Sequence, residues 1–229
     1  MTDLKSLLPE NGWARLAGTG TAKTFSPREI LLRQGYVDDH LILLLHGRVK
    51  VTWLGADGNE IVLAIRGSGD LIGEIALLSG QGHSANVSAI DRCATRLISS
   101  GEFNDAIREL DCEKAVMHHA LSRLHENEIF RAELPTLPAE QRVLRTLLRL
   151  AVSPAARRRA DPVEVPLDQA EFGRTVGLSR GHVSTDLGKL RSLGLIETCR
   201  GRILIHDMDA LRRMSSGNPA DSPSPVSDP

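Results

Sequence analysis

Between residues 20 and 100, short apolar segments alternate with turn-forming residues. ILLR (30–33), LILLLHG (41–47), VKVTWL (49–54), IVLAIRG (61–67), SANVSAI (84–90) and TRLISS (95–100) are rich in Leu, Ile and Val. Runs of this length between Gly, Asn and Asp predict β-strands. Gly35, Gly47, Gly58 and Gly69 recur 11 or 12 residues apart, the spacing expected of short strands stacked in a barrel or roll. VTWLGADGNEIVL (51–63) is the clearest hairpin, with Asp57-Gly58 supplying a positive-φ turn between apolar strands.

The period changes after this region. FNDAIREL (103–110) and CEKAVMHHALSRLHENEIFRAEL (112–134) lack Gly and Pro and predict a long helix. Met117, Leu121 and Leu124 lie at i, i+4 and i+7, an apolar stripe suited to pairing with a second copy or to packing on the same chain. The same phase continues to Glu128 and Arg131, so the stripe turns polar halfway along. LPTLPAEQR (134–142) ends the helix, since Pro135 and Pro138 cannot continue it, and Pro138 suits the first turn of the next.

Beyond this hinge, AEQRVLRTLLRLAVS (139–153) reads as an amphipathic helix and PAARRRADP (154–162) as a polar loop. LDQAEFGRTVGLSRGHVSTDLGKLRSLGLI (167–196) reads as two helices about a glycine turn, and IETCRGRILIH (196–206) as a hairpin turning at Arg200-Gly201. The tail SSGNPADSPSPVSDP (215–229) has the composition of disorder.

The helix pair carries the most specific signal. Asp168 suits the N-cap of a helix over Gln169–Thr175. Ala170, Phe172, Val176, Leu178, Val183, Leu187 and Leu190 fall where two crossing helices need apolar contacts. Gly173 leaves room for the crossing, and Gly177 suits the turn. Ser179 opens the second helix, whose outer face shows Arg180, Gly181, His182, Ser184, Thr185 and Lys189. Residues at that end of a recognition helix reach base edges, and flanking cations meet phosphates.

Composition supports a polyanionic partner for this part of the chain. Residues 138–214 carry 14 Lys/Arg against 9 Asp/Glu, while residues 1–137 carry 14 against 18, and a basic surface attracts nucleic acid. Aromatics are only 3% of the 229 residues, so the core rests on aliphatic side chains. Cys93, Cys112 and Cys199 are odd in number and far apart, which predicts buried or partly buried thiols and no disulfide framework. No apolar run approaches the ~20 residues of a membrane span, and the MTDLKSLLPE start has no apolar leader. These readings place the protein in the cytoplasm.

GEIALLSGQGHSANV (73–87) and VGLSRGHVSTDLGKLRSLGLI (176–196), in one chain in this order, resemble the cyclic-AMP receptor protein / fumarate-nitrate reductase regulator (CRP/FNR) family of bacterial transcription regulators. The resemblance runs from about residue 20 to 214. It implies an α+β chain with an N-terminal β-roll (a double-stranded β-helix) of the cyclic-nucleotide-binding type, a long dimerisation helix and a C-terminal winged helix-turn-helix. The corresponding bounds are 1–112 for the sensor, 113–137 for the dimerisation helix and hinge, 138–214 for the DNA reader and 215–229 for the tail. Met117, Leu121 and Leu124 would form the seam of a homodimer. The implied partners are an inverted-repeat operator in double-stranded DNA and, as a further candidate, RNA polymerase.

In relatives that bind cyclic AMP, the roll cassette reads Gly-Glu, a short apolar helix, then Arg-Ser. Here Gly73, Glu74, Ile75 and Ala76 open the cassette, but His83 stands before Ser84 where the arginine would be. Glu74 suits a ribose hydroxyl, and the backbone N–H groups of the short helix suit a phosphate. An imidazole supplies one hydrogen bond where a guanidinium supplies two in parallel. Asn127 and Glu128 occupy the places where the family carries Thr-Ser against the base. Three readings therefore stand: altered or weakened binding of cyclic AMP or cyclic GMP, binding of another ligand, or a vestigial pocket. In the reader, Arg180 matches the family, whereas Gly181 and Thr185 replace its Glu and second Arg, which changes the bases those two would read.

No cysteine precedes Cys93, which argues against the family's iron–sulfur chemistry. His40, His46 and His83 match a haem ligand in type only, so no haem is expected. A cupin-like metal enzyme is the rival class, but these histidines show no HxH pair or other metal-ligand spacing. A roll serving only as a protein-docking surface is the third.

Overall fold

The computed structural model describes residues 3–151 and 162–216. The Arg157–Arg159 run and residues 217–229 of the expected tail lie outside the described residues. Two compact units are present, one of residues 3–58 and 63–129, the other of 59–62, 130–151 and 162–216.

The first unit opens with two short helices, α1 (Leu4–Leu7) and α2 (Glu10–Gly18). Strands β1 (Thr21–Phe25), β2 (Ile30–Leu32), β3 (His40–His46), β4 (Arg48–Leu54), β5 (Glu60–Gly67) and β6 (Leu71–Ile72) follow. Helix α3 (Glu74–Ser79) precedes β7 (Asn86–Ala89) and β8 (Cys93–Ser99), and then come α4 (Ser100–Glu109) and α5 (Glu113–Thr136). The strands form two four-stranded sheets in the orders β1-β8-β3-β6 and β2-β7-β4-β5.

The near-continuous apolar run of β3 follows from burial on both faces. Successive side chains alternate across a strand. Leu41 and Leu43 pack with Leu4, Leu16, Phe103 and Val116 on the helical side, while Ile42 and Leu44 pack with Phe25, Val49 and Val87 between the sheets. Strand β1 shows the opposite case. Of TAKTF only Phe25 is buried, so it carries no apolar pattern, and it is held by its ladder to β8 from Thr21↔Leu97 to Phe25↔Cys93.

The Asp57-Gly58 hairpin joins β4 to β5 through a wider turn, with only Gly58 at positive φ and its N–H donated to the Gly55 carbonyl at 3.0 Å. The long helix expected from residue 103 is two helices. Asp111 takes φ +52° between them, a conformation Asp tolerates better than most residues. Helix α5 then runs through Pro135 to Thr136, two residues beyond where the sequence ends it. A proline so close to the C-terminus forfeits only its own bond to the preceding turn.

The second unit contains the rest of α5 together with α6 (Ala139–Ala151), β9 (Val163–Val165), α7 (Gln169–Val176), α8 (Arg180–Ser192), β10 (Ile196–Cys199), β11 (Arg202–Ile205) and α9 (Met208–Ser215). The three strands form one sheet in the order β10-β11-β9, so the expected hairpin gains a third strand. Phe172, Val176, Val183, Leu187 and Leu190 are buried as expected. Ala170 is exposed instead: it lies about 200° round the helix from Phe172. Thr175 takes a core place and returns its hydroxyl to the Glu171 carbonyl at 2.9 Å. Cys93 and Cys112 are buried thiols and Cys199 is partly buried.

Gly47 and Gly58 both have positive φ, but their surroundings differ. A Cβ at Gly47 would lie 2.7 Å from the Arg92 carbonyl oxygen and 2.8 Å from Cys93 Sγ, whereas one at Gly58 meets nothing within 4 Å. Gly58→Ala should therefore cost about 1 kcal/mol, the left-handed penalty alone. Gly47→Ala should cost about 3 kcal/mol, because the clash is added. Urea unfolding of the two variants checks this, and equal costs would remove the close approach as a constraint.

Candidate functional site

Gly73 sits at the N-cap of α3 with φ +97° and Gly80 closes the helix with φ +65°. These two left-handed residues make a six-residue helix between β6 and the 81–85 segment. The segment is fixed against the loop after β2 by two backbone bonds: Gly35 N–H donates to the His83 carbonyl and His83 N–H to the Tyr36 carbonyl, both at 2.8 Å. No side chain fits at position 82, where a Cβ would lie 2.7 Å from the Gly35 oxygen.

A cavity of about 90 Å³ opens beside α3. Gly73, Glu74, Ile75, Ala76, His83, Ser84 and Asn127 all line it, so seven of the eight ligand residues named from the sequence meet there. Glu128 does not line it and is exposed: it follows Asn127 by about 100° on α5, which turns it off the cavity face.

His83 is buried, and its Nε2 lies 3.3 Å from Asp38 Oδ2. The imidazole that replaces the expected arginine is therefore engaged by a carboxylate on the neighbouring loop. It ties that loop to the cassette.

Two further cavity residues are guanidinium groups that sequence reasoning missed, Arg66 at the end of β5 and Arg123 on α5. Arg123 Nη2 donates to the buried Asp70, and its Nη1 lies 3.4 Å from Glu126 Oε2. Arg66 Nη2 approaches the same Glu126 oxygen at 3.4 Å. Arg66 Nη1 is buried without a hydrogen-bond partner. His119, also on α5, is fully buried with Nε2 3.9 Å from Glu74 Oε1, beyond hydrogen-bond reach.

These groups shift one another. Burial pushes Glu74 up to about 7, although Arg123 and Arg66 oppose it. Burial, then Arg123 and Arg66, push His119 down to about 4. Burial, then Arg123, push Arg66 down to about 10. Near neutral pH the site thus holds two cations, a neutral imidazole and a carboxyl that titrates within the working range.

In the second unit, Asp168 caps α7 by accepting from Ala170 and Glu171 N–H groups, and the Glu171 carboxylate accepts from Asp168 N–H in return. Gly177 has φ +64° at the turn. Ser179 caps α8, its hydroxyl also 2.8 Å from His182 Nδ1. Arg180, Gly181, His182, Ser184, Thr185 and Lys189 lie along this helix, and Arg180 and His182 are exposed at its start. Thr185 donates its hydroxyl to the Gly181 carbonyl and Lys189 pairs with Asp186 at 3.3 Å, which leaves Arg180 as the long cation at the helix start.

A cyclic nucleotide-binding domain matches residues 22–109, and a Crp-like helix-turn-helix domain matches residues 141–214. The cAMP-activated global transcriptional regulator CRP of Salmonella typhimurium is 29% identical over 184 residues, 80% of this chain and 88% of that protein. The transcriptional regulator LdrP of Thermus thermophilus is 29% identical over 199 residues, covering 83% of this chain and 95% of its own. Among solved structures, a CRP-family transcriptional regulator from Thermus thermophilus aligns with a TM-score of 0.67 at 27% identity, over 86% of this chain and 97% of that one.

Glu74 gives the site a pH signature. Its folded value of about 7 lies above the ordinary 4.5, so the native state holds a proton that the unfolded chain lacks. The associated stability is complete below about pH 4.5 and is lost as pH rises through about 7. His119 acts in the opposite sense below about pH 6.5. Subtracting a single variant from the parent isolates Glu74: the stability gap in favour of Glu74→Gln should widen by about 1 kcal/mol between pH 6 and pH 8. Urea unfolding at the two pH values measures it, and an unchanged gap would mean that Glu74 is ionised throughout.

Proposed function

The chain belongs to the CRP/FNR family of transcription regulators, and on that premise we propose that it is a homodimer that reads an inverted-repeat operator and answers to a small ligand in its roll. The observation that carries the ligand half is the convergence of Gly73–Ala76, His83, Ser84 and Asn127 on one cavity. A cyclic nucleotide is the ligand class that this arrangement supports best, with Glu74 against the ribose and Asn127 towards the base. The activation of the Salmonella relative by cAMP points the same way. In this reading residues 1–112 sense, 113–137 join the two copies, and 138–214 read DNA. The relatives are regulators, which favours this class over a cupin-like enzyme.

Exposed apolar side chains on one helix support the dimer. Met117, Leu121 and Leu124 are 48%, 56% and 43% exposed, and Ile129 on the same helix is 45% exposed. Met117, Leu121 and Leu124 lie within about 60° of one another round the helix, an exposed apolar stripe of the kind that marks a contact site. Two copies would present their α8 helices to half-sites one DNA turn apart, about 34 Å.

Two outcomes are expected. The double variant Leu121→Glu/Leu124→Glu should sediment as a monomer at concentrations where the parent is a dimer, and should lose operator affinity by about 100-fold or more as the second half-site contact is lost; dimeric sedimentation would displace the seam from this stripe. Arg180→Ala should cost about 1–3 kcal/mol on the preferred operator and relax selection at one base pair of each half-site, read by binding to a randomised operator pool. An equal loss on every sequence would make Arg180 a phosphate contact instead.

A further inference from the structure

We propose that Arg66, and not the residue at position 83, is the side chain that grips the phosphate of the ligand in the roll. The inference rests on the reading that the roll pocket is occupied by a phosphate-bearing ligand.

Four observations lead to it. First, the imidazole of His83 is already engaged by Asp38 at 3.3 Å and is only 6% exposed, so using it on a phosphate would cost that contact. Second, both terminal nitrogens of Arg123 face carboxylates, Asp70 and Glu126. Third, Arg66 is 8% exposed and lines the cavity, and its Nη1 has no hydrogen-bond partner. A buried guanidinium nitrogen without an acceptor is uncommon and unfavourable, and an oxygen entering the cavity would complete it. Fourth, Arg66 Nη2 meets its carboxylate partner, Glu126, at 3.4 Å, and Arg123 shares the same oxygen. The one carboxylate contact of Arg66 is thus long and shared, in a place where water is largely excluded.

The pairing pattern leaves one guanidinium donor for an incoming oxygen. Asp70 faces Arg123, Glu126 is divided between two guanidinium groups, and a phosphate oxygen at Arg66 Nη1 would complete the unmet donor with a charge-assisted bond. A neutral oxygen would satisfy the donor with a weaker bond than an anionic one. The arginine expected on the 81–85 segment is replaced in this chain by one arriving from the end of β5.

The experiment is a titration of the full chain with cyclic AMP, cyclic GMP, the matching nucleosides adenosine and guanosine, and inorganic phosphate. The parent is compared with Arg66→Lys, Arg66→Met and His83→Ala. The parent should bind a cyclic nucleotide more tightly than its nucleoside. Arg66→Met should bind the nucleotide about 30-fold more weakly or worse, and should lose more than His83→Ala does. Arg66→Lys guards against misfolding: it should lower the nucleotide-to-nucleoside affinity ratio about tenfold while leaving nucleoside binding in place, which a purely structural role would not do. An unchanged ratio overturns the proposal, as does a His83→Ala loss larger than that of Arg66→Met. If the parent binds inorganic phosphate in an Arg66-dependent way but no cyclic nucleotide, the grip stands and the cyclic-nucleotide reading fails. If it binds none of the probes, both fail, and only the DNA-reading half of the function remains.

Discussion

Asp70 is fully buried, and a carboxylate out of reach of water has to be met by donors. Gly67 N–H donates to it at 2.9 Å, and the Arg123 guanidinium donates from α5. The Asp70 carbonyl in turn accepts from Leu44 N–H at 2.9 Å. One residue therefore joins the turn after β5, the central strand β3 and the long helix. The cassette that begins at Gly73 starts three residues later, so its position is set by the same knot. Removing Arg123 would leave the Asp70 carboxylate buried without its guanidinium, a change of about 3–5 kcal/mol.

This knot also explains which parts of the site could be read from the sequence. Gly73–Ala76, His83 and Ser84 form one contiguous pattern, and their chemistry is visible in order along the chain. Arg66 ends an apolar strand and Arg123 sits in a helix rich in charge. Neither carries a local signal, because only tertiary contact with Asp70 and Glu126 brings them to the cavity. The role of His83 was hidden for the same reason, since its partner Asp38 lies 45 residues away. Glu128, whose place came from the resemblance, lies outside the cavity lining of its own chain because the helix turns it towards solvent.

The fold was more legible than the site because its signals are local. Asp168, Gly177 and Ser179 cap and turn α7 and α8 through their own neighbours, and the apolar strands of the roll announce themselves by composition. What escaped were elements held by their partners. Strand β1 needs β8 to exist, β9 needs β11, and α1 needs the roll to cover Leu4. The tolerance of Pro135 within α5 is likewise positional, since the same residue a turn earlier would have broken the ladder.

Helix α5 carries Arg123 and Asn127 on the cavity side and Met117, Leu121 and Leu124 on the side open to solvent. With about 3.6 residues per turn, the two sets interleave over the same stretch of backbone. Pairing of copies along one side and filling of the cavity along the other would then share one rigid rod, and any free-energy coupling between them is reciprocal. The affinity for ligand would depend on how much of the protein is present, and dilution alone would retune it. The abundance of the regulator would then become part of its own dose–response curve.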